Sequence, residues 1–130
     1  MGSTKLPRPT EMELAILQVL WDRGPSTVRE VHEVLNKDSE GTGYTTVLKL
    51  MQIMTEKGLV ERDESQRAHV YRPTATQQKT ERQLVSDLLD RAFGGSPAKL
   101  AMQALATKKS SSEELAELRK LLDTLEQEEP

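Results

Sequence analysis

Apolar residues along this chain recur first at helical spacing, then briefly at strand spacing, then at helical spacing again. Thr10-Glu11-Met12-Glu13 has the Ser/Thr-x-x-Glu form of a capping box, so a helix is expected to begin near residue 11. Its residues Leu14, Ala15, Ile16, Leu17, Val19, Leu20 and Trp21 are apolar on most sides, which predicts burial, and Gly24-Pro25 stops it. Thr27-x-x-Glu30 repeats the capping signal. Val28, Val31 and Leu35 then give a second, shorter amphipathic helix ending near Asn36. The polar, glycine-containing stretch from Asp38 to Gly43 reads as a loop. A third helix follows, with Tyr44, Val47, Leu48, Met51 and Met54 on one apolar stripe and Thr45, Lys49, Gln52 and Glu56 on the opposite side. Lys57-Gly58 supplies a basic last turn and a terminating glycine.

Leu59 to Arg62 and Ala68 to Arg72 are short runs with β-branched and aromatic residues, separated by the polar stretch Asp63 to Arg67, which predicts a hairpin whose second strand ends at Pro73. Three helices followed by a hairpin is the order of a winged helix-turn-helix. From Ala75 onward the pattern is helical throughout. A first segment running to about Phe93 carries Leu84, Val85, Leu88, Leu89 and Ala92 on one side. Gly94-Gly95-Ser96-Pro97 interrupts it, and a second helix opens at Pro97. Ser111-x-x-Glu114 caps a last helix in which Leu115, Leu118, Leu122 and Leu125 alternate three and four residues apart, the spacing of a coiled-coil seam. The expected fold is therefore mainly α with a small β-hairpin. A winged helix-turn-helix domain over residues 1–74 is followed by a C-terminal helical dimerisation arm over 75–130. Helices so apolar on one side, with few partners in their own chain, point to a homodimer, with Leu84, Leu88, Leu115, Leu118, Leu122 and Leu125 as the candidate dimerisation residues.

At 130 residues the chain can hold one ordinary core or two small ones, but no large catalytic domain. The absence of cysteine removes disulfides, thiolate metal sites and cysteine nucleophiles together. Neither histidine sits in a metal-ligand spacing, and Ser26, Thr27 and Ser111 stand at helix starts where capping explains them. No catalytic residue, metal or cofactor is expected. The first nine residues lack the apolar run of a signal peptide and no stretch approaches a membrane span, so a cytoplasmic protein without direct membrane insertion is expected. The net charge of −3 divides into 10 basic against 11 acidic residues over 1–74 and 8 against 10 over 75–130, so any anion-binding surface must be a local gathering of cations.

Taken in order, Thr10-Glu11-Met12-Glu13-Leu14 leading to Leu20-Trp21, Thr27-Val28-Arg29-Glu30-Val31, Tyr44-Thr45-Thr46-Val47, Lys57-Gly58-Leu59-Val60 and Tyr71-Arg72-Pro73 make the chain resemble the penicillinase-repressor transcriptional regulators over nearly its whole length. Phe93-Gly94-Gly95-Ser96 and Ser112-Glu113-Glu114-Leu115 are similar to the family's dimerisation arm. The resemblance implies a transcriptional repressor whose third helix enters the major groove of a palindromic operator, beside a membrane sensor-protease that triggers its inactivation. Staphylococcal-type members are cut at an Asn-Phe bond late in the arm, whereas the comparable stretch here reads Ala104-Leu105-Ala106-Thr107. The cysteine-rich tail of the copper-responsive relatives is absent as well.

Helical DNA readers need short polar groups for base edges and cations or hydroxyls for phosphates. Thr45, Thr46, Lys49 and Gln52 supply both kinds on the third helix. Arg67 at the tip of the hairpin, Arg72 at its end, and Lys5 and Arg8 in the N-terminal arm are the other candidate phosphate contacts. The rival from another class is a winged-helix protein–protein interaction adaptor without DNA binding, which the acidic net charge would suit.

Overall fold

The computed structural model describes residues 8–38 and 41–128. Among these residues it holds six helices and one two-stranded antiparallel hairpin. The expectation of a mainly helical winged helix-turn-helix fold is met. Helix α1 (Glu11–Arg23) starts on the reciprocal bonds its sequence announces: Glu13 N–H donates to Thr10 Oγ1 at 3.2 Å, and Thr10 N–H donates to Glu13 Oε1 at 2.9 Å. Helix α2 (Val28–Asp38) starts in the same way on Thr27 and Glu30. Each such cap stabilises its helix by about 1 kcal/mol. Gly24 ends α1 at φ 94°, a conformation a Cβ would strain, and its N–H donates to Leu20 O.

Helix α3 (Tyr44–Lys57) lies across α1 and α2, burying Val47, Met51 and Met54. These three meet Ile16, Leu17 and Leu20 of α1, Val31 of α2 and Tyr71 in one aliphatic core. Gly58 terminates α3 in the left-handed conformation, and Leu59 N–H then donates back to Met54 O at 2.9 Å. The Leu59 N–H is thus spent on the helix end, while its carbonyl accepts from Thr74 N–H at 3.0 Å just beyond the strand pair. Strand β1 spans Val60–Asp63 and strand β2 spans Val70–Pro73, each starting one or two residues later than the side-chain pattern suggested. A further pairing holds the hairpin to the helices: Ser26 N–H donates to Tyr71 O at 3.0 Å and Tyr71 N–H to Ser26 O at 2.8 Å. Ser26 is thus no helix cap. Its hydroxyl donates to Gly24 O, and only Thr27 caps α2.

Helix α4 (Gln77–Ala92) is capped by Thr76, whose Oγ1 accepts from Lys79 N–H. Its approach is anchored on α1 by Trp21 Nε1, which donates to Ala75 O at 3.1 Å, and Thr80 is buried. The chain divides into two compact units inside α4, between Ser86 and Asp87. The second unit holds the end of α4, α5 (Pro97–Thr107) with Pro97 in its first turn, and α6 (Ser112–Gln127) on its Ser111/Glu114 capping box. Neither α5 nor α6 buries a single residue within the chain. No described helix is long and apolar enough to cross a membrane.

Candidate nucleic-acid interface

Burial sorts the two stripes of α3 as the sequence pattern implies. Val47, Met51 and Met54 have no exposed surface, whereas Thr45, Thr46, Lys49, Gln52 and Glu56 are exposed. A helix with one row locked in the core cannot rotate about its axis without opening a cavity, so the polar row is held outward. Lys49 is exposed and has no ion-pair partner among the described residues, which leaves its ammonium available to an external anion.

The start of α3 is placed by α2. Asn36 Nδ2 donates to Thr42 O at 3.0 Å and to His32 O at 2.8 Å, and His32 Nε2 lies 3.1 Å from the same Thr42 carbonyl. A carbonyl only accepts, so in that contact Nε2 carries the hydrogen. Gly43 at the N-cap offers no side chain, and the first turn of α3 contains no acid. The unsatisfied amides there leave the end of α3 beside Thr45 and Thr46 partially positive, which favours a phosphate.

Tyr44 departs from the stripe it was expected to join. It is 45% exposed and its ring meets that of His32 edge-on, with centroids 5.7 Å apart. Side chains lean toward the N-terminus of their helix, so a residue in the first turn reaches past the core and not into it.

The far end of α3 is tied down by charge. Lys57 in its last turn pairs with Glu13, which is 2% exposed. Burial pushes the Glu13 carboxyl up, but the Lys57 hydrogen bonds and charge and the Thr10 amide outweigh that, leaving its pKa below the ordinary value.

The remaining candidates occupy different situations. Arg67 is exposed on the hairpin loop, without an ion-pair partner among the described residues. Arg72 is also exposed, but its Nε donates to Glu61 Oε1 at 3.1 Å across the strand pair, and Arg62 is similarly engaged with Glu64. Exposed pairs of this kind are worth little, so Arg72 can exchange its partner for a phosphate at small cost. Arg8 is exposed just ahead of the Thr10 cap, and Lys5 lies outside the described residues. Arg29, which the sequence pattern did not single out, is exposed in the first turn of α2. With Tyr44 and Arg67 it lines a groove of about 350 Å³ between the two helix starts and the hairpin. The only sequence signal for it was a cation beside a cap.

A family model described as penicillinase repressor matches residues 9–124. The chain is 33% identical over 123 residues to the transcriptional regulator BlaI of Mycobacterium tuberculosis, in both strain CDC 1551 / Oshkosh and strain H37Rv, covering 94% of this chain and 88% of the relative. It is 24% identical over 119 residues to the penicillinase repressor of Bacillus licheniformis, covering 92% of each chain.

Proposed function

The chain belongs to the penicillinase-repressor family, a family of transcriptional repressors and not of enzymes, and from that premise we propose that it represses transcription as a homodimer on a palindromic operator. The observation that carries the reading is the outward row Thr45, Lys49 and Gln52 on a helix whose opposite row is fully buried. In this reading α3 enters the major groove, where Gln52 and the threonines meet base edges while Lys49, Arg67, Arg72 and the N-terminal arm with Lys5 and Arg8 meet phosphates.

Residues 1–74 form the DNA-binding domain and residues 75–130 the dimerisation domain. The support for the second assignment is chemical: Leu115, Leu122 and Leu125 of α6 stand 37–59% exposed, with Leu121 beside them at 53%, as does Leu88 of α4 at 45%. Leu84 and Leu118 are half-buried on the same helices. A water-exposed leucine row is costly in a lone chain, and a second copy covers it. Each subunit then reads one half-site, and joint binding raises the affinity well above that of either alone. The site of action is the cytoplasm, and a membrane sensor-protease pathway is the induction route that the family membership suggests, although the Asn-Phe bond cut in staphylococcal-type members has no counterpart in Ala104-Leu105-Ala106-Thr107.

The direct test is a gel shift of the purified chain with the DNA upstream of its own gene against a scrambled duplex. Retarded complex on the upstream fragment at salt that frees the scrambled one is expected. Equal affinity for both removes operator recognition, and no affinity for either would favour an adaptor.

A further inference from the structure

The groove between the start of α2, the start of α3 and the hairpin is lined by Arg29, Tyr44, Arg67 and His69 with Thr27 and Tyr71, and no carboxylate is among the described residues that line it. In a chain with 21 acidic residues against 18 basic ones, a concave surface whose described lining gathers two arginines and no acid favours anions. Among the described residues neither arginine has an ion-pair partner. Arg29 makes no ion pair with Glu33 one turn along α2, and Arg67 makes none within the hairpin, unlike Arg62 and Arg72.

Tyr44 adds a directed hydroxyl. Packing of its ring edge-on against His32 limits where the ring can go, and the residue is 45% exposed where it lines the groove. Tyr44 also immediately precedes Thr45, so a strand whose bases lie against the α3 row carries its backbone past this groove.

We propose that the groove seats one backbone phosphate of the bound duplex, held jointly by the Arg29 and Arg67 guanidinium groups and the Tyr44 hydroxyl. The inference rests on the DNA-binding reading and adds a specific contact to it. Two planar forks and one hydroxyl match the tetrahedral oxygens of a phosphate and carry no base information, so the contact fixes register and leaves sequence to α3. It also joins the wing to the reading helix through the DNA, since the two arginines come from different elements.

The experiment is a salt titration of binding by the full chain to a duplex of random sequence, comparing wild type, R29Q, R67Q, the double variant R29Q/R67Q and Y44F. Both arginines are exposed, and thermal melting checks that the variants remain folded. Each phosphate released lowers the slope of log affinity against log salt by about 0.9. A shared phosphate predicts that the double variant loses about 0.9 in slope, with each single variant losing less than that, and that Y44F weakens binding roughly three- to tenfold without changing the slope. A loss of about 1.8 in the double variant would place the arginines on separate phosphates and overturn the inference, as would an unchanged slope. Stabilisation of the wild type by millimolar inorganic phosphate, abolished in the double variant while the duplex slope stays unchanged, would assign the groove to free phosphate and also overturn it. A wild-type chain that ignores duplexes at low salt would bring down the DNA-binding reading itself.

Discussion

Lys57 Nζ lies 2.8 Å and 3.0 Å from the two carboxylate oxygens of Glu13, closing a pair that spans 44 residues of sequence and fastens the last turn of α3 to the first turn of α1. Glu13 is simultaneously half of the α1 capping box, so one carboxylate serves the start of one helix and the end of another. Its pKa is lowered in the folded chain, so protonation weakens folding. The stability it contributes is present above the ordinary glutamate value of 4.5 and is lost as the pH falls below it, through the lower folded value. Thermal melting of the full chain against pH is expected to show this acid decline. In Lys57→Ala, burial of Glu13 acts with less opposition and the decline should flatten. At neutral pH Lys57→Ala should cost about 2–3 kcal/mol, since it leaves a buried carboxylate underpaired, against about 1–2 kcal/mol for Glu13→Gln, which keeps a capping side chain. A melting temperature unmoved by Lys57→Ala would show the pair to be energetically idle.

The two rows of α3 should respond to substitution in opposite ways. Met51→Ala removes a side chain with no exposed surface and should destabilise by about 2–5 kcal/mol, whereas Thr45→Ala on the outer row should stay within about 0.5 kcal/mol of wild type. Chemical denaturation checks both values, and a DNA titration checks the effect on binding. The ordering reverses for binding, where Thr45→Ala lowers duplex affinity in a chain that is still fully folded.

Lys49 is the cation on the outer row, and its removal is predicted to be felt through salt. Lys49→Ala should flatten the dependence of log affinity on log salt by about 0.9, one phosphate contact, whatever the duplex sequence. Gln52→Ala should instead leave the slope unchanged and reduce the preference for the operator over scrambled DNA, because an amide reads a base edge. Fluorescence anisotropy at several ionic strengths separates the two. A Lys49→Ala chain with wild-type slope would take that ammonium away from the backbone.

The features that were legible in the sequence are those set within one helix. Capping boxes at Thr10, Thr27 and Ser111 and stop glycines at 24 and 58 act over three or four residues, so their spacing alone placed the helix ends. The row Thr45, Lys49, Gln52 was readable because a helical wheel is reliable in mid-helix. The wheel failed at Tyr44, where no preceding turn supports the ring and the core ends. Long-range partners were invisible in principle: the Ser26 bridge to Tyr71 and the Glu13 pair with Lys57 join residues 45 and 44 positions apart. Ser26 resembled one more cap, and Glu13 already had a sufficient local role. Arg29 went unremarked because its significance comes from Tyr44 and Arg67 reaching the same groove.

The helical arm offers the sharpest test of assembly. Leu122 is 59% exposed and α6 buries nothing within its own chain, so Leu122→Glu should leave the fold of a single chain nearly unchanged. If α6 is covered by a second copy, the same substitution places a carboxylate in an apolar contact and costs several kcal/mol per interface, unless the dimer opens. Sedimentation of the wild type is therefore expected at the dimer mass and of Leu122→Glu at the monomer mass, with far-UV circular dichroism little altered. Operator affinity should fall by a factor of about 10² or more, because the two half-sites are then bound independently, while affinity for a single half-site should be retained. A Leu122→Glu chain that still sediments as a dimer and holds the full operator as before would place the interface on another surface and would free α6 for a different role.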